Sequence, residues 1–177
     1  MRIVGGIFKG RTLLGFDGDK IRPTSDKARE SLFNILQYKV QDCTFLDLFC
    51  GTGAMGIEAL SRGAVKVDFN DLSRESVSLT KKNLEKIKAT DRYSITNLDA
   101  ITFLKTTSTK YDVIFLDPPY GKIDEQEMLK NCIDKLLDDG IIVYESEKSA
   151  LEIEGLIKYD ERKYGRAILN FYKREIK

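Results

Sequence analysis

Histidine occurs nowhere in the 177 residues. Its absence removes the commonest general base and excludes a Ser-His-Asp triad. Cysteine is scarce, and Cys43, Cys50 and Cys132 form no CxxC pair. Without imidazole or a thiolate pair, no zinc site is expected. No apolar run approaches the roughly 18 residues of a membrane-spanning helix. The opening MRIVGGIFKGR lacks the long apolar stretch of a secretory signal, so a cytoplasmic location is expected. Proline is rare too, and two of the three prolines stand side by side in FLDPPYGK, residues 115–122. Any chemistry must run on carboxylates, lysine, tyrosine, the main chain or a bound cofactor.

What is present is an ordinary globular composition, 42% hydrophobic and 32% charged, with a net charge of only +1. That charge is unevenly spread. Residues 1–40 hold 8 Lys/Arg against 4 Asp/Glu, and residues 162–177 hold 6 against 1. The stretch between them has 15 against 23. Basic ends around an acidic body suggest an anion-binding rim beside a body that does not bind polyanions.

The first residues, RIVGGIFKGRTLLG, mix short apolar pieces with glycines and predict a hairpin. Thr24 or Ser25 can cap a helix whose stripe is Leu32, Ile35 and Leu36 and which runs to about Tyr38. From residue 44 strands and helices alternate. The strands are TFLDLF, AVKVDFN, RYSITNL, YDVIFLD and IIVYES, and the helix DEQEMLKNCIDKLLDD is expected to stop at Gly140. Repeated βα units imply a parallel sheet with helices on both faces. YGRAILNFYKR reads as a final antiparallel strand. A boundary near residue 40 separates a basic appendage, 1–40, from an α/β body, 41–177.

Ligands of open α/β sheets bind beyond the carboxyl ends of the strands. The first such end is FLDLFCGTGAMG, where Gly51, Gly53 and Gly56 fit GxGxxG and Asp71 follows Gly51 by twenty residues. Three readings compete: a turn whose glycines only pack, a nicotinamide dinucleotide site, and an S-adenosylmethionine site. Asp47, at the strand end, discriminates between the last two. At ~4 Å a carboxylate repels one phosphate charge by about 1 kcal/mol in water and about 4 kcal/mol at an effective dielectric of 20. It attracts a sulfonium and an ammonium by the same physics. The sulfonium cofactor is therefore favoured. Asp71 can accept both ribose hydroxyls, and Asp99 can accept from the adenine amine or merely cap the next helix.

Asp117, Pro118, Pro119 and Tyr120 follow the fourth strand. Pro119 restricts Pro118 to extended backbone. The Asp117 side chain and the Pro118 carbonyl then form two rigid acceptors, which suit a planar NH2 group. Tyr120 offers a ring on which a base can stack, worth about 1–3 kcal/mol. An exocyclic amine is a poor nucleophile, and two acceptors stabilise the positive charge that develops as a methyl group arrives. No metal is needed.

Together these residues resemble the Rossmann-like, class I S-adenosylmethionine-dependent methyltransferases. MRIVGGIFKGRTL, RPTSDKARESLFNIL, FLDLFCGTGAMGIEALSRGA, DPPY and YGRAILNFY more narrowly resemble the bacterial 16S rRNA guanine-N2 methyltransferase family. The resemblance implies a doubly wound, mostly parallel seven-stranded α/β sheet with a reversed last hairpin. It places Asp47, Phe49, Gly51, Gly53, Asp71, Leu72, Asp99 and Ala100 around the cofactor and Asp117 through Tyr120 at the target guanine. Asp71 stands where that family usually has Glu, and Asn70 beside it is a helper for the ribose. Arg2, Lys9, Arg11, Arg22, Thr24, Arg29 and Arg166 are candidates for contact with 16S rRNA in the small subunit. The enzyme is expected to act as a monomer. The alternative is an adenine-N6 methyltransferase acting on DNA or another RNA. A nicotinamide-dependent oxidoreductase and a non-catalytic nucleic-acid-binding module are the other readings.

Overall fold

Alternating apolar strands and amphipathic helices leave the chain one economical arrangement, a sheet covered on both faces. The computed structural model describes residues 1–17, 25–148 and 151–175. Its central sheet has seven strands in the order β3-β2-β1-β4-β5-β7-β6. These are β1 Thr44–Asp47, β2 Lys66–Asn70, β3 Tyr93–Thr96, β4 Tyr111–Leu116, β5 Leu136–Ser146, β6 Leu156–Tyr164 and β7 Ala167–Arg174. The first five run parallel, and β7 is antiparallel to both β5 and β6.

The helices are α1 Asp26–Ile35, α2 Gln37–Val40, α3 Ala54–Ser61, α4 Arg74–Lys86, α5 Ala100–Thr106 and α6 Glu125–Ile133. One apolar layer joins Leu32, Phe33, Ile57 and Leu60 to Phe45, Val113, Phe115, Val143 and Phe171 of the sheet. The other joins Phe103, Leu104, Met128 and Leu129 to Leu46, Ile114, Ile142 and Tyr172. Ile3, Phe8 and Leu13 are buried in the first layer. Among the described residues, no helix is long and apolar enough to cross a membrane.

The opening hairpin forms as turns closed by an Arg2–Thr12 bridge, with Ile3 N–H on the Arg11 carbonyl at 3.0 Å. Ser25 caps α1 by accepting from Ala28 N–H at 3.1 Å. The predicted helix to Tyr38 is broken at Leu36 into α1 and α2. A larger correction concerns the sixth helix. It ends at Ile133, and the chain is already strand at Leu136. Leu136 is buried opposite Tyr111, and a bulge separates this pair from Val113–Ile141. Gly140 is thus no helix stop. A Cβ there would lie 2.8 Å from the Tyr111 carbonyl oxygen, so glycine lets the bulged strand approach. Register, which sequence periodicity does not reveal, overrides the helical pattern of this stretch.

Candidate active site

Strand β1 ends in Asp47, and the chain turns through residues 48–53 into α3. Gly51 and Gly53 take positive φ, +53° and +80°. A Cβ on Gly53 would stand 2.8 Å from Thr80 Cγ2. A Cβ on Gly56 would collide with the Phe69 ring, so this glycine lets α3 lie close on β2. The turn is also held from behind. Thr80 Oγ1 donates to the Gly51 carbonyl at 3.0 Å, and Asn83 Nδ2 to the Thr52 carbonyl at 2.8 Å. Asn83 also clasps Leu14, accepting from its N–H at 2.7 Å and donating to its carbonyl at 3.1 Å. Phe16, two residues on, reaches the open face of Gly51, where a Cβ would meet its ring edge at 3.9 Å. Thr80 and Asn83 were missed in the sequence. Their signal was two polar residues, three apart, on the inward face of α4.

Asp47 is buried, with Oδ2 accepting from Gly56 N–H at 2.9 Å and Oδ1 buried without a partner. Burial pushes its pKa up to about 7, against the Gly56 hydrogen bond, and Asp71 adds to the rise. An orphaned carboxylate oxygen beside a glycine turn fits a cationic ligand group and would repel a pyrophosphate.

Asp71 follows β2. Its two oxygens accept from Gly51 N–H at 3.0 Å and Ser73 N–H at 2.8 Å, and each retains lone-pair capacity. Asn70 is a clasp between strands. Its amide donates to the Leu48 and Leu98 carbonyls and accepts from Thr96 Oγ1 and Leu98 N–H. Both ends of the supposed ribose helper are thus engaged inside the protein. Asp99 caps α5, accepting from Thr102 N–H at 2.9 Å, and hydrogen bonds from the Thr102 side chain and then its main chain lower its pKa. Leu72 is 71% exposed, Ala100 is buried, and Phe49 packs partly against the α5–α6 layer.

Parallel pairing sets Asp47 opposite Phe115, and Leu116 opposite Tyr144. Side chains alternate along a strand. Asp117, one residue beyond β4, and Glu145 of β5 therefore extend the α1/α3 face on which Asp47 also lies. Burial raises the Asp117 pKa to about 8, with Glu145 and then Asp47 adding repulsion. Pro118 is buried and Pro119 exposed. The Pro119 carbonyl accepts from Lys122 N–H at 3.3 Å, closing a turn that leaves Tyr120 half exposed. Burial pushes the Tyr120 phenol up to about 12, helped by Asp117 and Glu145. Glu145 was missed, although IIVYES repeats the pattern of an acid at a strand end.

The basic candidates separate. Arg29 is corrected outright. It is 1% exposed, paired with Asp26 at 2.8 Å and Glu58 at 3.6 Å, and bonded to the Arg2 carbonyl, so it ties the N-terminal segment to α3. Arg11 lies over the Phe8 ring and donates to the Ile87 carbonyl at 2.5 Å. Ile7 N–H reaches the Ser61 carbonyl at 2.8 Å. Ser61 and Ile87 end helices that start at the crevice. Lys9 and Arg11 therefore sit at the opposite edge of the sheet. Arg166 is exposed in the β6–β7 turn, and pairing of Ser146 with Ile168 brings that turn to the crevice edge. Arg2 is exposed beside Thr12. Arg22 and Thr24 lie outside the described residues. Among the described residues, no group of three His, Cys, Asp or Glu is placed to hold a metal ion.

Comparison with known proteins agrees with this architecture. The family model described as conserved hypothetical protein 95 matches residues 1–173. The chain is 38% identical over 149 residues to Ribosomal RNA small subunit methyltransferase D of Escherichia coli strain K12, covering 83% of this chain and 75% of the relative. It is 36% identical over 153 residues to the Haemophilus influenzae protein of the same name, covering 84% and 79%. The solved structure of Escherichia coli yhhF superposes with a TM-score of 0.88 at 31% identity, covering 100% of this chain and 99% of that one. By sequence and by fold the chain belongs to the conserved hypothetical protein 95 family, built on the class I methyltransferase architecture.

Proposed function

We propose that the protein transfers a methyl group from S-adenosylmethionine to the exocyclic N2 amine of a guanine in 16S rRNA. The observation that carries this reading is the pairing of two strand ends. A buried carboxylate with an orphaned oxygen lies at the glycine turn, and Asp117-Pro118-Pro119-Tyr120 ends the adjacent strand. The relatives' name, ribosomal RNA small subunit methyltransferase D, supports the substrate class.

Asp47, Gly51, Gly53, Asp71 and Asp99 would hold the cofactor, with Phe49, Leu72 and Ala100 lining it. Bound there, S-adenosylmethionine supplies an electrophilic methyl carbon. The protein's own part is orientation and charge. The Asp117 carboxylate and the Pro118 carbonyl accept the two amine hydrogens and aim the nitrogen lone pair. Holding the reactants in line supplies much of the acceleration. Tyr120, half exposed at the mouth, stacks on the base. A guanine in a loop could be splayed directly into this site, and one in a stem would have to flip.

Arg166 stands on the crevice edge and suits phosphate contact near the target. Lys9 and Arg11, at the far edge, would meet RNA only if it wraps the N-terminal face. Arg2, Arg22 and Thr24 remain candidates for the same surface.

The test is tritiated methyl transfer to small ribosomal subunits lacking the modification, followed by mass-spectrometric mapping. A single N2-methylguanine is expected in 16S rRNA. An N6-methyladenine product would replace this reading with the adenine one, and absence of transfer to either RNA or DNA would remove both.

A further inference from the structure

Acids end β1, β4 and β5 on one face of the sheet. Asp47 and Asp117 have places in the proposed function, whereas Glu145 has none. Glu145 is 6% exposed. The β4–β5 register sets it beside Asp117, since Leu116 faces Tyr144 and both chains advance by one residue in the same direction. It points away from Tyr144, whose ring is buried in the α5–α6 layer. Among the described residues, Tyr120 and Glu147 lie in the ionisable surroundings of this pair, with Asp47 across β4. Asp47 Oδ1 is buried without a hydrogen-bond partner. Like charges so placed favour a shared proton.

We propose that Glu145 and Asp117 work as one carboxylate pair that takes up the proton released by the methylated amine. This inference rests on the amine methyltransferase reading. The amine nitrogen forms the new N–C bond as the C–S bond breaks, and the electron pair of that bond stays on sulfur. The nitrogen is then cationic and still carries both hydrogens. One passes to the ionised Asp117 carboxylate and is shared with Glu145, leaving a neutral secondary amine. The timing is favourable. The bound cation that balanced the carboxylates loses its charge in the same step, so their proton affinity rises as the proton is released. The proton returns to water when the site opens.

Glu145 is thus a positioning residue for the Asp117 proton, and its removal should alter pH dependence rather than cofactor binding. The experiment is single-turnover methyl transfer across pH 6 to 9, with cofactor affinity measured alongside by calorimetry. Glu145→Gln should move the acid limb down by about one pH unit or more. It should also lower the plateau at high pH, because an Asp117 without its like-charged neighbour is a weaker base. Glu145→Asp should restore part of both. A Glu145→Gln limb that coincides with the wild-type limb would overturn the proposal. Should Glu145→Gln fail to fold, carboxyl NMR of the wild-type protein decides. One glutamate must share the raised midpoint of Asp117, and a Glu145 that titrates at ordinary glutamate values refutes the pair. Wild-type protein that methylates no exocyclic amine would sink the function itself, which is a distinguishable result.

Discussion

The crevice has two kinds of carboxylate. On the β2–β3 side, Asp71 and Asp99 are held by main-chain N–H groups, and the hydrogen bonds at Asp99 lower its pKa. On the β1–β4–β5 side, Asp47 and Asp117 are held against burial and against other acids, and both are raised. The first kind is fixed as acceptors in advance of any ligand. The second stores unfavourable electrostatics that a cation relieves. Under the proposed function the difference separates recognition from chemistry: hydroxyls and amines of a nucleoside need satisfied, stationary acceptors, whereas charge that appears and vanishes needs groups poised to titrate.

Asp117→Ala should break this division most severely. Turnover is expected to fall by about 10² or more, with cofactor affinity nearly unchanged by calorimetry. Equal loss of both would mean that Asp117 serves the donor.

Asp47→Asn comes next. It should weaken cofactor binding roughly tenfold or more, equivalent to about 1.4 kcal/mol per factor of ten. The pH dependence sharpens the point. A cation prefers ionised Asp47, so wild-type affinity should strengthen as pH rises through about 7, and that slope should flatten in the variant. Stability of the ligand-free protein should run the other way. Carboxyls whose pKa is raised on folding bind protons that the unfolded chain has already lost. Their stabilising contribution is therefore present below pH about 4 and disappears as pH climbs towards 7 and 8. Melting temperature measured from pH 5 to 8 should fall, and Asp47→Asn should reduce the fall.

Gly53→Ala tests the turn between the two groups. A side chain at φ +80° is strained, and its Cβ meets Thr80. A loss of about 1–3 kcal/mol in stability is expected by denaturant unfolding, together with weaker cofactor binding. Smallest is the effect at the mouth. Tyr120→Ala should weaken RNA binding by about 1–3 kcal/mol, and Tyr120→Phe should weaken it less. The reverse order in a filter-binding assay would contradict stacking.

Much of this layout was legible in the chain. The βα alternation gave the parallel sheet, because buried strands and half-buried helices impose different periodicities. Acids after TFL, KVDFN and FL marked three strand ends by their abrupt polarity. What stayed hidden depends on pairing between distant strands. The β5 start at Leu136 is set by Tyr111, and β6 carries so many charges along an exposed edge that its apolar alternation is weak. Arg29 looked like a surface cation because its partner Glu58 is 29 residues away inside a mostly apolar, buried helix. Glu145 was overlooked because its significance comes from its neighbour across the sheet.

Asn83 ties together parts of the chain that are remote in sequence. A single amide grips the carbonyl of Thr52 in the glycine turn and both main-chain groups of Leu14. The N-terminal arm is consequently a brace for the glycine turn. Trimming the first sixteen residues would loosen the glycine loop, proposed to hold the methyl donor, from the far side, even with every crevice side chain left in place.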